Sequence, residues 1–167
     1  MTRIVTERLV LRVPTRDDDL SEFVADDDVQ VWVDGLGEDP ADVIERWVRR
    51  WERDGIGPFA VELDGRLIGR VGFSVWDSRT WETSSFELAG EHVEVELGWA
   101  ILSEHWGRGY ATEAARAARA WLGRERLISM INPENGRSIR VAEKLGARRT
   151  ERVETPHGPA EVWVHPA

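Results

Sequence analysis

The chain contains no cysteine. Disulfides, thiolate metal sites and a cysteine nucleophile are thereby excluded, and a covalent mechanism would have to use another residue. No apolar run approaches the roughly 20 residues that span a bilayer, so a membrane-crossing helix is not expected. The opening Met1-Thr2-Arg3-Ile4-Val5 has no signal-like apolar core, which gives cytoplasmic localisation as the expectation. Histidines stand only at His92, His105, His157 and His165, without the i, i+4 spacing of helical metal ligands, and no metal is expected. Tyrosine occurs once, at Tyr110. Basic residues are the minority, 22 against 31 acidic, and the net charge of −9 disfavours nucleic acid and favours basic or amine-bearing partners. The acidic runs Asp17-Asp18-Asp19 and Asp26-Asp27-Asp28 read as solvated helix faces rather than as a site.

What remains is the patterning of a single domain over residues 1–167, long enough to bury a real core. Glu7 to Val13 alternates Leu9, Leu11 and Val13 against polar neighbours, as an opening strand does. Thr15 is positioned to cap a helix carrying Leu20, Phe23 and Val24 on one face. Asp39 and Pro40 begin a second, with Val43, Ile44, Trp47, Val48 and Trp51 as its stripe and Gly55 as its stop. Pro58 to Leu63 and Arg66 to Val75 form a hairpin about Asp64-Gly65. Periodicity fails from Trp76 to Glu91, which reads as an irregular excursion able to line an acceptor pocket. His92 to Leu102 is the longest strand, with Val93, Val95, Leu97, Trp99 and Ile101 on one side and Glu94, Glu96, Gly98 and Ala100 on the other. A helix over Tyr110 to Leu122, a strand at Leu127 to Ile131, a helix over Asn135 to Leu145 and a hairpin of Arg148 to Val153 with Glu161 to His165 complete the order. This is an α/β (α+β) arrangement with a mixed sheet of about seven strands and about four helices.

The chemistry concentrates in Trp106-Gly107-Arg108-Gly109-Tyr110-Ala111, between a strand and a helix. Closely spaced glycines let backbone approach a ligand, and the N–H groups of a helix start suit a diphosphate. Neither the lysine of a Walker loop nor the third glycine of a dinucleotide loop is present, which disfavours ATP and NAD.

Glu96-Leu97-Gly98-Trp99 followed by Trp106 to Ala114 resembles the signature of the GNAT superfamily of acetyl-CoA-dependent N-acetyltransferases, and Asn132 to Gly146 resembles its next segment. Thr6-Glu7-Arg8-Leu9-Val10-Leu11-Arg12 is similar to the branch that acetylates N-termini of ribosomal proteins. The resemblance implies a mostly antiparallel sheet that splays after Glu96. It assigns the pantetheine arm of acetyl-CoA to Ala100, Ile101, Leu102 and Asn135, and the pyrophosphate to Gly107, Arg108, Gly109, Tyr110, Ala111 and Thr112. Glu96 is the candidate base for the amine, with Glu94 behind it, and Ser138 is placed near the sulfur as the second catalytic and cofactor-binding candidate. Trp32, Trp76 and Trp81 are available to stack on an acceptor. The expected activity is acetyl transfer to a primary amine, on a small molecule or a protein N-terminus, by a monomer or homodimer. A non-catalytic acyl-CoA sensor of the same fold is the alternative.

Overall fold

Asp64 and Gly65 both take positive φ, 51° and 80°, and the tight turn they form joins β3 (Pro58–Leu63) to β4 (Arg66–Asp77) as a hairpin. The computed structural model describes residues 2–167. Before this hairpin come β1 (Arg3–Val5), β2 (Leu9–Arg12), α1 (Ser21–Ala25), α2 (Asp27–Trp32) and α3 (Pro40–Asp54). After it come β5 (Glu82–Thr83), α4 (Phe86–Ala89), β6 (Val93–Ile101), α5 (Tyr110–Leu122), β7 (Ile128–Ile131), α6 (Gly136–Lys144), β8 (Arg148–Thr155) and β9 (Gly158–Val164).

All nine strands belong to one sheet in the order β1-β2-β3-β4-β6-β7-β9-β8, with β5 beside the end of β4. Every pairing is antiparallel except β6 with β7. That exception follows from connectivity, because the chain leaves β6, crosses the sheet as α5 and returns in the same direction.

The crossover helix fits because its inward face is small. Ala114, Ala115 and Ala118 are fully buried against Val71, Phe73, Val95 and Leu97, and a larger side chain there would overpack the core by roughly 1–3 kcal/mol. On the opposite face, Val43, Ile44, Trp47 and Val48 of α3 pack with Leu20, Phe23, Leu36, Ala100 and Leu102. Asp39 caps α3 through Ala41 N–H, and Gly55 ends it in the left-handed region at φ 69°, as the sequence predicts.

The mixed α/β class and the mostly antiparallel, splayed sheet match expectation, while several details require correction. Nine strands replace about seven because β1 and β5 are too short to show periodicity; α2 and α4 raise the helices to six for the same reason. Thr15 caps nothing. Its N–H donates to Asp18 Oδ2, and Asp18 is held by Arg12 at 2.6 Å, so the first acidic run is fixed in a turn and α1 starts only at Ser21. Asp26 does cap, accepting from Asp28 and Val29 N–H at the start of α2, while its other oxygen accepts from Ser103 N–H. The stretch from Trp76 to Glu91 is also more ordered than its sequence suggests: β4 continues to Asp77, and β5 and α4 follow.

Candidate active site

β6 stays in register with β4 from Asp77↔Val93 to Gly69↔Ile101, but meets β7 only at Glu96↔Ile128. Beyond Glu96 the two strands part. Leu102 N–H donates to the Ile68 carbonyl of β4, whereas the carbonyls of Leu97 and Ile101 turn to the other side. Odd-numbered residues of β6 therefore address the fork. Ser129 of β7 donates to the Leu97 carbonyl at 2.6 Å and is itself joined to His165 Nε2 at 2.8 Å, which satisfies that carbonyl where the ladder fails.

A cavity of about 650 Å³ fills the fork and reaches the start of α5. Gly107, Gly109, Tyr110, Ala111 and Thr112 line it at one end, and Asn135 and Ser138 line it from the start of α6. Gly107 and Gly109 hold φ of 75° and 81°, a region other residues rarely enter. No side chain caps α5, so the amides of its first turn are free for an anion, to which the helix dipole adds attraction. Asn135 Oδ1 caps α6 by accepting from Ser138 N–H at 3.1 Å, a structural task it performs while lining the cavity.

Leu102 and Arg108 stand apart from the other residues expected to bind cofactor. Leu102 donates to Ile68, accepts from His105 N–H and does not line the cavity. Arg108 is exposed, and its carbonyl accepts from Arg8 Nη1 at 2.8 Å. Ala100 lines the cavity, and Ile101 faces the fork with its carbonyl already bonded to the Trp106 indole at 2.7 Å. Trp99 is the fork-facing residue that sequence reasoning passed over, although two-residue alternation places it with Leu97 and Ile101. Also missed was the stripe Arg137, Arg140 and Lys144, whose i, i+3, i+7 spacing puts three cations on the cavity side of α6. Arg137 stacks over Trp106 at 4.3 Å.

Glu96 lies in the cavity wall, reachable from the cavity yet remote from bulk water. This removal from water pushes its carboxyl above the ordinary range, against weaker opposing pulls from the Trp76 indole and the charges of Arg70 and Arg50. Desolvation likewise brings the Arg70 guanidinium down to about 10, and the like charge of Arg50 adds to it. Glu94, two residues back along the strand, does not line the cavity and is held in an ion pair with Arg126 at 2.6 Å. Trp32 and Trp76 line the cavity, whereas Trp81 packs against Ile128, Val153 and Val162. The cavity's lining contains six basic and three acidic side chains. The net charge of −9 is thus an outer-surface property, and the sequence-level expectation of an acidic pull on a cationic acceptor does not carry into the site.

Residues 8–148 match the acetyltransferase (GNAT) domain family, and the chain belongs to it. YkkB of Bacillus subtilis is 29% identical over 177 residues, spanning 97% of this chain and 94% of its own. An acetyltransferase from Agrobacterium tumefaciens strain C58 superposes with a TM-score of 0.78 at 28% identity, covering 100% of this chain and 95% of that one. RimL, a ribosomal L7/L12 alpha-N-protein acetyltransferase solved with coenzyme A, shares the fold at a TM-score of 0.78 and 12% identity, covering 98% and 97%. No helix among the described residues is long and apolar enough to cross a membrane, and they form no group of three or more residues disposed to hold a metal.

Proposed function

We propose that this protein moves an acetyl group from acetyl-CoA to a primary amine by direct transfer within a ternary complex. The observation that carries the reading is one continuous cavity joining the uncapped start of α5 to the Glu96 carboxyl across the fork. The free amides of Tyr110, Ala111 and Thr112 and the cationic stripe of α6 suit the phosphates of the cofactor. The coenzyme A held by RimL, in the same fold, supports the same assignment.

In the transfer, the amine nitrogen attacks the thioester carbonyl, a C–N bond forms and the C–S bond breaks. Glu96 takes the proton that the ammonium must lose, and its raised pKa brings it nearer to that task than an ordinary carboxylate. The departing thiolate takes up a proton in the neighbourhood of Ser138. Release of free thiol from acetyl-CoA, measured with an amine present and absent, tests the reading. Tight acetyl-CoA binding with no amine-dependent thiol release would favour the sensor instead.

A further inference from the structure

Among the described residues nine arginines hold carboxylates, Arg16, Arg66 and Arg126 at 2.8, 2.7 and 2.6 Å among them. Of the five arginines that line the cavity none does, and two of these, Arg50 and Arg70, are the charges that act on Glu96. Arg50 of α3 makes one hydrogen bond, to Ser74 Oγ at 2.9 Å, and Arg70 of β4 makes none with the described residues. No carboxylate oxygen among those residues lies within 4.0 Å of either guanidinium. Glu96 is the acid nearest in register, and one of its oxygens is held by Trp76. A guanidinium stays charged at neutral pH, so two of them withdrawn from water beside one carboxylate leave positive charge and donors unmatched.

Their placement separates them from the phosphate-binding end. α5 packs on the Leu97 and Ile101 face of β6, whereas α3 packs on the Ala100 and Leu102 face, and Arg50, Arg70 and Glu96 belong to the latter. Gly98 lies between them. A methyl-sized atom above Gly98 would sit 3.5 Å from Arg70 Nη1 and 3.6 Å from Glu96 Oε1, so one small group fits between a fork of donors and a carboxylate. The Asp34-Gly35 loop meets the turn bearing His157, with a Cβ on Gly35 reaching to 3.4 Å of the His157 ring, and both Asp34 and His157 line the cavity.

We infer that the acceptor is a small zwitterion, an amine with a carboxylate on the adjacent carbon, whose anion is held by Arg50 and Arg70 while its nitrogen faces Glu96. The inference rests on the acetyl-transfer reading and names its substrate class. An α-amino acid places both charges within two bonds of one carbon, which matches the short span over Gly98. A polyamine or aminoglycoside would bring cations to Arg50 and Arg70.

The test offers the common α-amino acids in three forms, free, as methyl esters and as decarboxylated amines, with thiol release from acetyl-CoA as the readout. Free amino acids are expected to be used at least tenfold better in kcat/KM than either uncharged-carboxyl form. Arg70→Met should raise KM for the free amino acid at least tenfold while leaving that for the ester nearly unchanged; Arg50→Gln should act in the same direction, and Arg70→Lys should recover part of the loss. Equal use of all three forms, preference for the esters, or better use of peptides with acidic first residues would overturn the inference. If no amine turns over, calorimetry with coenzyme A present compares N-acetyl amino acids with their methyl esters. Tenfold tighter binding of the carboxylates, lost in Arg70→Met, would keep the anion site and reject the transfer reading alone, whereas equal or absent binding would reject the site.

Discussion

The Trp76 indole Nε1 donates to Glu96 Oε2 at 2.7 Å, diagonally across the β4–β6 ladder in which Trp76 stands opposite Glu94 and Ser74 opposite Glu96. This bond favours the charged carboxylate against the burial that opposes it. Glu96→Gln keeps the size and removes the proposed base, so the rate should fall by roughly 10²-fold, most steeply at low pH where fewer amines are neutral. Trp76→Phe should leave the base in place and move the acid limb of the pH–rate profile upward, since the carboxyl loses a donor. A wild-type rate for Glu96→Gln at every pH would assign proton removal to ordered water.

Gly109 offers a cleaner test of the proposed phosphate site, because Gly123 at the other end of α5 provides an internal control. Both glycines are left-handed, at 81° and 59°. Alanine at either should strain the backbone, but only Gly109 lines the cavity. Gly109→Ala should weaken acetyl-CoA binding at least tenfold, about 1.4 kcal/mol, by calorimetry. Gly123→Ala should change the melting temperature and leave that affinity alone; equal affinity losses in both would show a general effect of strain.

Arg8 ties the start of β2 to the same loop from outside the cavity. It pairs with Glu113 at 2.7 Å, donates to the Arg108 carbonyl at 2.8 Å and lies 4.5 Å over the Tyr110 ring. Arg8→Met should therefore weaken acetyl-CoA binding by roughly three- to tenfold, about 1 kcal/mol, as expected for a partly exposed charge held by several contacts. The rate at saturating acetyl-CoA should hardly change. A fall in that rate with unchanged affinity would place Arg8 in the chemistry rather than in the loop's support.

The sequence displayed the architecture wherever one face of an element repeats. The α3 stripe, the small alanines of α5, the Asp64-Gly65 turn and the alternation of β6 all appear in the structure as read. It was silent where a contact joins distant segments. Nothing local shows that Arg12, which fixes the Asp18 turn, also reaches Glu62 of β3, and nothing in β6 alone reveals that the Trp106 indole occupies the Ile101 carbonyl. Net charge is limited for a related reason: composition counts charges without placing them, and the arginines of α3 and β4 converge on the cavity only through the sheet register.

His165 provides the last expectation, in stability rather than catalysis. The side chain is buried at 3% exposure, its Nε2 meets Ser129 Oγ, and Nδ1 has no partner. Because Ser129 gives its own proton to Leu97, His165 must donate from Nε2, which fixes the neutral tautomer. Burial lowers its pKa from the ordinary 6.5 to about 4, and the Arg119 charge adds to the shift. The unfolded chain thus binds a proton that the folded one refuses between these values. Stability from this group is complete above about 6.5 and is lost as pH falls toward 4, on the order of 3 kcal/mol in total. Glu96 and Asp34, whose pKa values are raised, give the opposite slope over part of this window, so the informative quantity is the difference from a variant. His165→Gln can keep a donor for Ser129 and cannot titrate. Denaturant unfolding of both proteins from pH 4.5 to 8 should show the wild type losing stability relative to the variant as the pH falls below 6.5. Parallel curves would mean that His165 titrates in the fold as it does in the unfolded chain, so that its burial does not oppose protonation.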